Sequence, residues 1–587
     1  MRALRGPGAM QERTGSLATR TRSLATLGLV VWAIVACFAR LGEAPVYILN
    51  EAREGVYVRA MLASGNFVLP PVANHVENGE IIPDKPPLFH WVSAASMFGR
   101  AVATGQSTSA RALAGRFDEW SLRFPSALAG CLAVLALATL GRRLVGDRGA
   151  VLAAAALLAS WQFIHQARFG RVDMALATCL TIALLLLGRA VLDGSSAAML
   201  IGAAWLGLAV LAKGPLAIVL VLSFLAPYAA IRLYDGSWRR LLELPWVAGA
   251  LIVAAVAVPW YAAAFVQGGT ALLRSQLLNE NLHQFGGGNG RMALLYYVVP
   301  WLTDSLPWNL LALIGAWQAW RTRHPGAIFC SLWWLSFLVF FELAAYKRRA
   351  YLLPALPPAS LLAGWLLDRW LPPGRVLVAS VAKQLAPWRG RLLIAFGLAL
   401  VAGALLPPAA RSLKLLPYAL GAADGAFLLT GLVVALVASL LLARAAMRRD
   451  AGLAVASLWG LLAAVFVGVV PTFETITALQ ASPKALIERI DAALPPGQPL
   501  TVRGVGDDPS LLLLLYASDP DRLTVIPERT PPPAEFPPGF YLFAEAEWQA
   551  VSGPASDGDH GRWRELLRDE LRERAGPIPL VLAERLT

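Results

Sequence analysis

Long apolar runs, separated by short polar stretches, occupy most of the chain between about residues 25 and 470. Runs of about 18 or more apolar residues are long enough to cross roughly 30 Å of hydrocarbon as a helix. The pattern predicts a polytopic α-helical membrane protein with about 13 transmembrane helices. The predicted spans cover residues 25–38, 124–140, 151–164, 174–191, 197–212, 216–231, 246–265, 294–320, 328–344, 351–367, 392–406, 426–443 and 453–470.

Basic residues between these runs predict the orientation. Arginines cluster before the first run and in alternate polar stretches, as the positive-inside rule predicts for cytoplasmic loops. The N-terminus is therefore placed in the cytoplasm, and an odd number of spans places the C-terminus outside. This arrangement requires residues 86–102, a short apolar stretch, to lie on the membrane without crossing it. One basic group, at residues 346–349, is an exception to the positive-inside rule, because the predicted topology places it outside.

The last part of the chain has a different pattern. Residues 482–494, 545–551 and 563–574 are predicted as helices, and residues 500–505, 522–526, 539–543 and 578–582 as strands. The chain is thus divided into a transmembrane domain at residues 1–471 and a small extracytoplasmic α/β domain at residues 472–587. Within the first domain, residues 42–121 form the first periplasmic loop, with helices beside the membrane.

Composition supports this class of protein. The mean hydropathy is +0.56 over 587 residues, which is too apolar for a soluble protein of this size. The net charge of +13 does not indicate nucleic-acid binding, because the arginines flank the apolar runs. The four cysteines lie within or beside apolar runs, as small buried residues do, and they predict neither a disulfide framework nor a metal cluster.

Residues 50–91 hold an unusual density of acids and bases for so apolar a chain. Glu51, Arg53, Asp84 and Lys85 all fall in this first outside loop. Cations there could seat an anionic headgroup, and a carboxylate could serve as a general base. A solvated loop with local ion pairs explains the same charges equally well.

Two further outside loops carry ionisable residues beside the membrane. Asp173 directly precedes an apolar run and follows Arg171, and Lys347 and Arg348 precede Tyr351. A carboxylate at the membrane boundary is costly unless it is paired or functional. An ion pair with Arg171, or a favourable place at a helix N-terminus, is the structural alternative for Asp173. A local ion pair is the alternative for the basic group.

These loops suggest transfer chemistry on a lipid phosphate. Cations at the membrane face would hold the phosphate as a leaving group, and a carboxylate would take a proton from the acceptor. An acceptor that is itself an ionised phosphate would need no base. The acid would then position groups or stabilise the transition state.

Several motifs, in a fixed order from about residue 40 to residue 365, resemble a known family. They are NEAREGVYVRAMLASGNF, DKPPLFHW, RFPSALAG, ARFGRVDM, LAKGP and YKRRAYLLPALPP. Together they resemble the GT-C membrane glycosyltransferases that use polyprenyl-phosphate sugars. The similarity is greatest to the aminoarabinose transferase of lipid A and the protein O-mannosyltransferase superfamily.

The resemblance implies roles for individual positions. Asn50 stands where the family often has an essential aspartate, and Glu51 is the candidate substitute. The other candidates are Asp173 and Asp84 as catalytic acids, Arg53, Lys85, Lys347, Arg348 and Tyr351 as ligands of the donor phosphate, and Asn50, Arg171, Glu280 and His283 as sugar or acceptor contacts. No cofactor is required by this pattern. A divalent ion between Asp84 or Glu51 and a histidine is left open, because the ligand spacing does not argue for it.

The sequence therefore predicts a monomeric glycosyltransferase in the inner (cytoplasmic) membrane of a bacterium, with its active site and C-terminal domain facing the periplasm. Its donor is a polyprenyl-phosphate sugar, and its acceptor is lipid A or another envelope glycolipid. Protein O-glycosylation with the same donor class is the second enzyme hypothesis. A transporter of lipid-linked sugars is the rival of a different class, disfavoured because transporters concentrate charges near the midplane of the membrane.

Overall fold

Most of the predicted apolar runs are helical in the computed structural model of the chain. The structure describes residues 26–71, 76–77, 80–81, 85–273, 276, 286, 292–305, 308–370, 440, 444, 474–475, 478–479, 482–505, 507–517, 522–526, 533, 536–552, 563–573 and 576–586. The last three predicted spans, at residues 392–406, 426–443 and 453–470, lie almost wholly outside these residues.

The described helices are named in chain order. They are α1 (Thr26–Phe38), α2 (Leu49–Ser64), α3 (Leu88–Ala103), α4 (Ala110–Ala114), α5 (Glu119–Leu140), α6 (Arg142–Val145), α7 (Asp147–Leu158), α8 (Trp161–Ala167), α9 (Val172–Asp193), α10 (Ser196–Lys213), α11 (Leu216–Tyr234), α12 (Arg239–Leu242), α13 (Trp246–Leu273), α14 (Val298–Asp304), α15 (Trp308–Thr322), α16 (Pro325–Leu343), α17 (Leu356–Trp370), α18 (Lys484–Ala493), α19 (Asp507–Tyr516) and α20 (Glu545–Ser552). A 3₁₀ helix, Arg349–Ala355, precedes α17.

The described strands form one short pair and one larger sheet. They are β1 (Val76–Glu77), β2 (Glu80–Ile81), β3 (Leu500–Arg503), β4 (Leu523–Val525), β5 (Gly539–Ala544), β6 (Trp563–Glu573) and β7 (Gly576–Arg585). β1 and β2 form an antiparallel pair. The other five form one sheet in the order β4-β3-β5-β7-β6. β3 is parallel to β4 and β5, whereas β7 is antiparallel to β5 and β6.

The chain divides into two compact units. The helical unit comprises Met1–Ala39, Ser126–Pro259 and Leu277–Thr472. The mixed unit comprises Arg40–Pro125, Trp260–Gln276 and Phe473–Thr587, so the C-terminal sheet belongs with the stretch that follows α1.

In the described residues, seven helices are long and apolar enough to cross a membrane, or eight if the bent pair α7 and α8 is one span. Within its apolar stretch α9 is 89% buried, whereas α13 is only 22% buried. A helix that is apolar on all sides and buried is an interior helix, and one that leaves apolar side chains exposed suits contact with lipid. The chain is a multi-pass membrane protein.

Close backbone packing holds the helical unit together. α9 packs against α10, and α7 packs against α17. A Cβ added at Gly364 would lie 2.3 Å from the Gly149 carbonyl oxygen, so only a glycine permits this approach of α7 and α17. Small residues at helix contacts are a common device of membrane proteins.

In the mixed unit, α2 packs against α3, α4 and α19. Val58 and Leu62 of α2 pack with Met97 of α3 and Leu113 of α4 in one apolar cluster. A second cluster joins α18 to one face of the five-stranded sheet, and Val502 and Leu542 are buried in it.

Several predictions about elements are wrong. Residues 50–64 are not a loop but part of α2, and its Glu51, Glu54 and Arg59 side chains contact other helices. Predicted span 151–164 is bent by 69° between α7 and α8. Predicted span 294–320 is two helices, α14 and α15, and Pro307 lies between them in the sequence, where proline disfavours a continuing helix. Predicted span 351–367 begins as a 3₁₀ helix.

The C-terminal region holds one further error. Residues 563–574, predicted as a helix, form strand β6 instead. Its Glu-, Leu- and Arg-rich sequence favours a helix, but pairing with β7 along its length overrides that preference. The helix α19 was not predicted at all. The strands at β3, β4, β5 and β7 and the helices α18 and α20 are confirmed.

Candidate functional site

Asp173 is the centre of a charged cluster in the helical unit. It lies in the first turn of α9 and is buried, with 5% of its surface exposed. Arg171 Nη2 lies 2.9 Å from Asp173 Oδ2, and Lys213 Nζ donates to Asp173 Oδ1. Lys213 is the last residue of α10, so two helix ends with opposite partial charges face each other through this pair.

Tyr351 and Arg348 extend this cluster. Lys213 Nζ lies 4.8 Å from the centre of the Tyr351 ring, a cation–π distance. Burial by itself lowers the pKa of Arg348, but Tyr351, Tyr346 and Asp173 outweigh it and raise that pKa. Arg348 therefore keeps its positive charge despite its partial burial. We call Arg171, Asp173, Lys213, Arg348 and Tyr351 the Asp173 cluster.

The Asp173 cluster holds more positive than negative charge. Arg171, Lys213 and Arg348 supply three cations, and Asp173 supplies one carboxylate. Arg171 and Lys213 are largely but not fully buried, with 17% and 13% of their side chains exposed. Such an arrangement can accept a phosphate, since it offers cations that are already held in place.

Lys347 occupies a different environment from its neighbour Arg348. Its side chain is only 3% exposed, and its Nζ lies 3.3 Å from Glu342 Oε1. It also donates to the carbonyl oxygen of Ala293 at 3.1 Å. The local ion pair that the sequence left open for the basic group is present at Lys347. Its role as a ligand of the donor phosphate stays a prediction.

A second cluster lies in the mixed unit around Glu54. His90 Nε2 of α3 lies 2.7 Å from Glu54 Oε2, and Lys85 Nζ lies 3.8 Å from Glu54 Oε1. Glu54 is buried, and burial alone would raise its pKa. Lys85, His90 and Arg53 outweigh that effect and lower the pKa of Glu54. We call Glu54, Lys85, His90 and Arg53 the Glu54 cluster.

Glu51, one turn before Glu54 on α2, is fully buried against Arg123. Arg123 Nε and Nη2 donate to the two Glu51 oxygens at 2.7 and 3.1 Å. Arg123 Nη1 also donates to the carbonyl oxygens of Leu41 and Ala44, at 2.9 and 2.6 Å. This geometry is that of a structural pair linking α2 to α5. A catalytic role for Glu51 stays a prediction.

The remaining predicted residues fall into two groups. Asn50 and Arg53 lie half-buried in the first turns of α2. Asp84, Glu280 and His283 lie outside the residues that the structure describes. In the described part of the chain, no group of three or more His, Cys, Asp or Glu side chains could hold a metal ion.

Sequence reasoning missed three members of these clusters: Glu54, His90 and Lys213. Glu54 and His90 were visible only as charged or polar residues within a stretch read as a loop. A helical assignment of residues 49–64 would have placed Glu54 on α2, near Glu51. Lys213 stands in the LAKGP motif, but its contact with Asp173 depends on the packing of α10 against α9.

Comparisons with known proteins agree with this fold. Residues 84–262 match a family model described as dolichyl-phosphate-mannose-protein mannosyltransferase. The undecaprenyl phosphate-α-4-amino-4-deoxy-L-arabinose arabinosyl transferase of Pseudomonas paraeruginosa is 31% identical over 369 residues, or 62% of this chain and 61% of that protein. Its counterpart in Pseudomonas aeruginosa is 32% identical over 372 residues, with the same coverage. The chain thus spans about three-fifths of the length of these relatives.

A solved structure extends the likeness to nearly the whole chain. The crystal structure of ArnT from Cupriavidus metallidurans bound to undecaprenyl phosphate matches with a TM-score of 0.67, at 22% identity. The match covers 95% of this chain and 97% of that one. At this identity the likeness shows the fold. The chain therefore has a GT-C membrane fold. Its membership of the superfamily of aminoarabinose transferases and protein mannosyltransferases stays a prediction, which the match over residues 84–262 and the partial likeness to these relatives support.

Proposed function

We propose that the chain is a glycosyltransferase that moves a sugar from a polyprenyl phosphate to lipid A or another envelope glycolipid. The Asp173 cluster is the observation that carries this proposal, because it holds three cations around one carboxylate at one end of the helical unit. The named relatives use an undecaprenyl-phosphate-linked aminoarabinose, which makes that sugar the first candidate donor.

The proposed reaction breaks the bond between the anomeric carbon of the sugar and the phosphate oxygen of the carrier. An acceptor oxygen forms the new bond to the anomeric carbon, and polyprenyl phosphate leaves with an added negative charge. Arg171, Lys213 and Arg348 stabilise that charge. An acceptor phosphate is already ionised and needs no base, whereas an acceptor hydroxyl would lose its proton to a carboxylate.

Asp173 has two candidate roles in this scheme. Its contacts with Arg171 and Lys213 support a positioning role, in which the carboxylate fixes two cations for the donor phosphate. The rival role is that of the base, which would require one of its oxygens to face the acceptor. The site is proposed to face the periplasm of a bacterial inner membrane, where the positive-inside rule places this end of α9.

The test is the turnover of the purified protein in vesicles with undecaprenyl-phosphate aminoarabinose and lipid A. We expect Asp173→Asn to lower the rate at least about 100-fold, in keeping with the loss of a preorganised charge. Asp193→Asn is the matched control, because Asp193 also pairs with an arginine but lies at the opposite end of α9. Mass spectrometry of lipid A measures the added sugar.

The results for Asp173→Asn distinguish the two candidate roles of Asp173 and also test the proposal as a whole. A variant that loses both donor binding and turnover has lost the positioning of its cations, whereas one that binds the donor normally but does not turn over has lost a base. An Asp173→Asn protein as active as the wild type would remove the Asp173 cluster from the mechanism.

A further inference from the structure

A cavity of about 250 Å³ lies in the helical unit at the end opposite Asp173. Leu192, near the end of α9, lines it, whereas Asp173 stands in the first turn of the same helix. At 1.5 Å per residue the two sites are roughly 30 Å apart, which is the thickness of the hydrocarbon layer. The cavity is therefore distinct from the Asp173 cluster.

Among the described residues, every charged side chain that lines the cavity is an arginine: Arg143, Arg232 and Arg240. Arg143 pairs with Asp193. Arg232 pairs with Asp235 at 3.1 Å and donates to the Tyr228 hydroxyl, also at 3.1 Å. Arg240 makes no ion pair or hydrogen bond with the other described residues. The cavity thus presents one uncompensated guanidinium beside two that have further donors to offer.

The start of α16 forms one wall of this cavity. Pro325 and Gly326 line it, so the positive end of the helix faces inward. A Cβ at Gly326 would lie 2.1 Å from the Leu144 carbonyl oxygen, which fixes this helix start beside Arg143. His324 Nδ1 accepts a hydrogen bond from the Ala327 N–H at 3.1 Å, and burial and Arg369 lower the pKa of His324. The imidazole is thus neutral and leaves the arginines as the charges.

The segment beside the cavity has the character of a membrane interface. Tyr234, Leu242 and Val247 are 95%, 69% and 75% exposed, and Trp238 is exposed as well. Aromatic and apolar side chains next to arginines are typical of segments that lie at the level of lipid headgroups. Basic pockets between helices on the cytoplasmic side suit anionic lipid headgroups.

We propose that this cavity binds the phosphate of an anionic phospholipid, on the membrane face opposite the Asp173 cluster. Guanidinium groups suit phosphate oxygens because they offer paired N–H donors in a plane. The exposed apolar segment favours a lipid over free phosphate as the source. This inference concerns a separate site and does not depend on the proposed transferase activity.

The test measures lipid binding to the full-length protein by native mass spectrometry in detergent. The probes are phosphatidylglycerol, phosphatidylcholine and inorganic phosphate. We expect Arg240→Gln to weaken phosphatidylglycerol binding by roughly tenfold, as the loss of a charge-assisted contact does. Arg239→Gln is the matched control, because Arg239 is exposed, lies next to Arg240 and does not line the cavity. It should bind like the wild type.

Three other results would overturn the proposal in whole or in part. Competition by millimolar inorganic phosphate that Arg240→Gln abolishes would keep the phosphate site but overturn the lipid as its occupant. Equal losses in Arg239→Gln and Arg240→Gln would show a diffuse surface charge effect and overturn the site. Equal binding of phosphatidylglycerol and phosphatidylcholine would overturn it too. Arg240→Lys, which keeps the charge, should retain part of the binding if the first result holds.

Discussion

Three buried carboxylates are held in ion pairs, and each is a separate question at the scale of single residues. Glu51 pairs with Arg123, Glu54 with His90 and Lys85, and Asp173 with Lys213 and Arg171. Removing one partner of a buried pair leaves the other charge uncompensated, which is strongly destabilising. Experiment can nevertheless distinguish the three carboxylates. Loss of a structural pair lowers the stability of the fold, whereas loss of a functional residue lowers turnover.

Glu51→Gln should mainly destabilise the fold. It removes the negative charge beside the buried Arg123 and one of the two carboxylate oxygens that accept from it, so the free energy of unfolding should fall by about 3–5 kcal/mol. Denaturant unfolding in detergent measures the change. The control is Glu43→Gln, since Glu43 is half-exposed beside Arg40 and its loss should cost less than about 1 kcal/mol. A Glu51→Gln protein of normal stability that has lost turnover would instead support the predicted catalytic role of Glu51.

Glu54 should make stability depend on acid pH. Its folded pKa lies below the ordinary value of 4.5, because Lys85, His90 and Arg53 outweigh burial. The ionised carboxylate thus stabilises the fold fully above its unfolded pKa, and this contribution is lost as the pH falls through the folded pKa. The difference in unfolding free energy between the wild type and Glu54→Gln should therefore shrink on acidification. A difference that grows as the pH falls would contradict the assignment.

At the scale of elements, Arg59 ties α2 to the C-terminal part of the chain. Its guanidinium donates to the carbonyl oxygens of Leu514 and Ala517, both at 3.0 Å, and to that of Leu515. These carbonyls lie at the end of α19, where four oxygens lack partners within the helix. A fourth contact reaches Ala114 at the end of α4. One buried arginine therefore caps two helices.

Arg59→Lys should loosen α19 while leaving most of the chain folded. A lysine keeps the charge but cannot reach four carbonyls with its compact ammonium group. We expect amide hydrogen exchange in residues 507–517 to accelerate by about tenfold or more, which corresponds to roughly 1.4 kcal/mol. Arg100→Lys is the control, because Arg100 is exposed, and its ion pair with Asp118 and its contact with the Trp120 ring do not involve α19. Equal exchange in both variants would show that Arg59 does not cap α19.

At the scale of the whole molecule, the acceptor is what separates the competing functions. A transferase acting on lipid A, on a protein or on a polysaccharide would use the same class of donor, a polyprenyl-phosphate sugar. The charges of the Asp173 cluster stand at the end of α9, whereas a transporter would concentrate them near the middle of its spans. The position of the charges therefore favours an enzyme.

Deleting the gene should remove one sugar-sized mass increment from lipid A in the cell. Mass profiles of envelope glycolipids from cells with and without the gene measure this loss. Restoring the wild type should restore the increment, and restoring Asp173→Asn should not. Unchanged lipid A with accumulated polyprenyl-phosphate sugar would point to a protein or polysaccharide acceptor, and no change in either pool would contradict a transferase.

The pattern of apolar runs predicts the membrane class, and it predicts most of the spans that fall among the described residues. Apolar runs of span length leave a chain few alternatives, because unpaired backbone groups are too costly in hydrocarbon. It also makes Asp173 a candidate site residue, since a carboxylate at the edge of an apolar run needs a partner or a function. Its role in the reaction stays a prediction. The five-stranded sheet was visible as well, except for β6.

Which charges meet depends on how the helices pack, and that is visible only in the folded chain. Glu51 and Glu54 lie three residues apart on α2, yet one pairs with Arg123 of α5 and the other with His90 of α3. Helix packing makes that choice, and local sequence does not encode it. The same holds for Lys213 beside Asp173 and for β6, where pairing with a neighbouring strand outweighs helix propensity. Contacts between segments that are distant in sequence stabilise these arrangements. A prediction based on neighbouring residues along the chain therefore cannot include them.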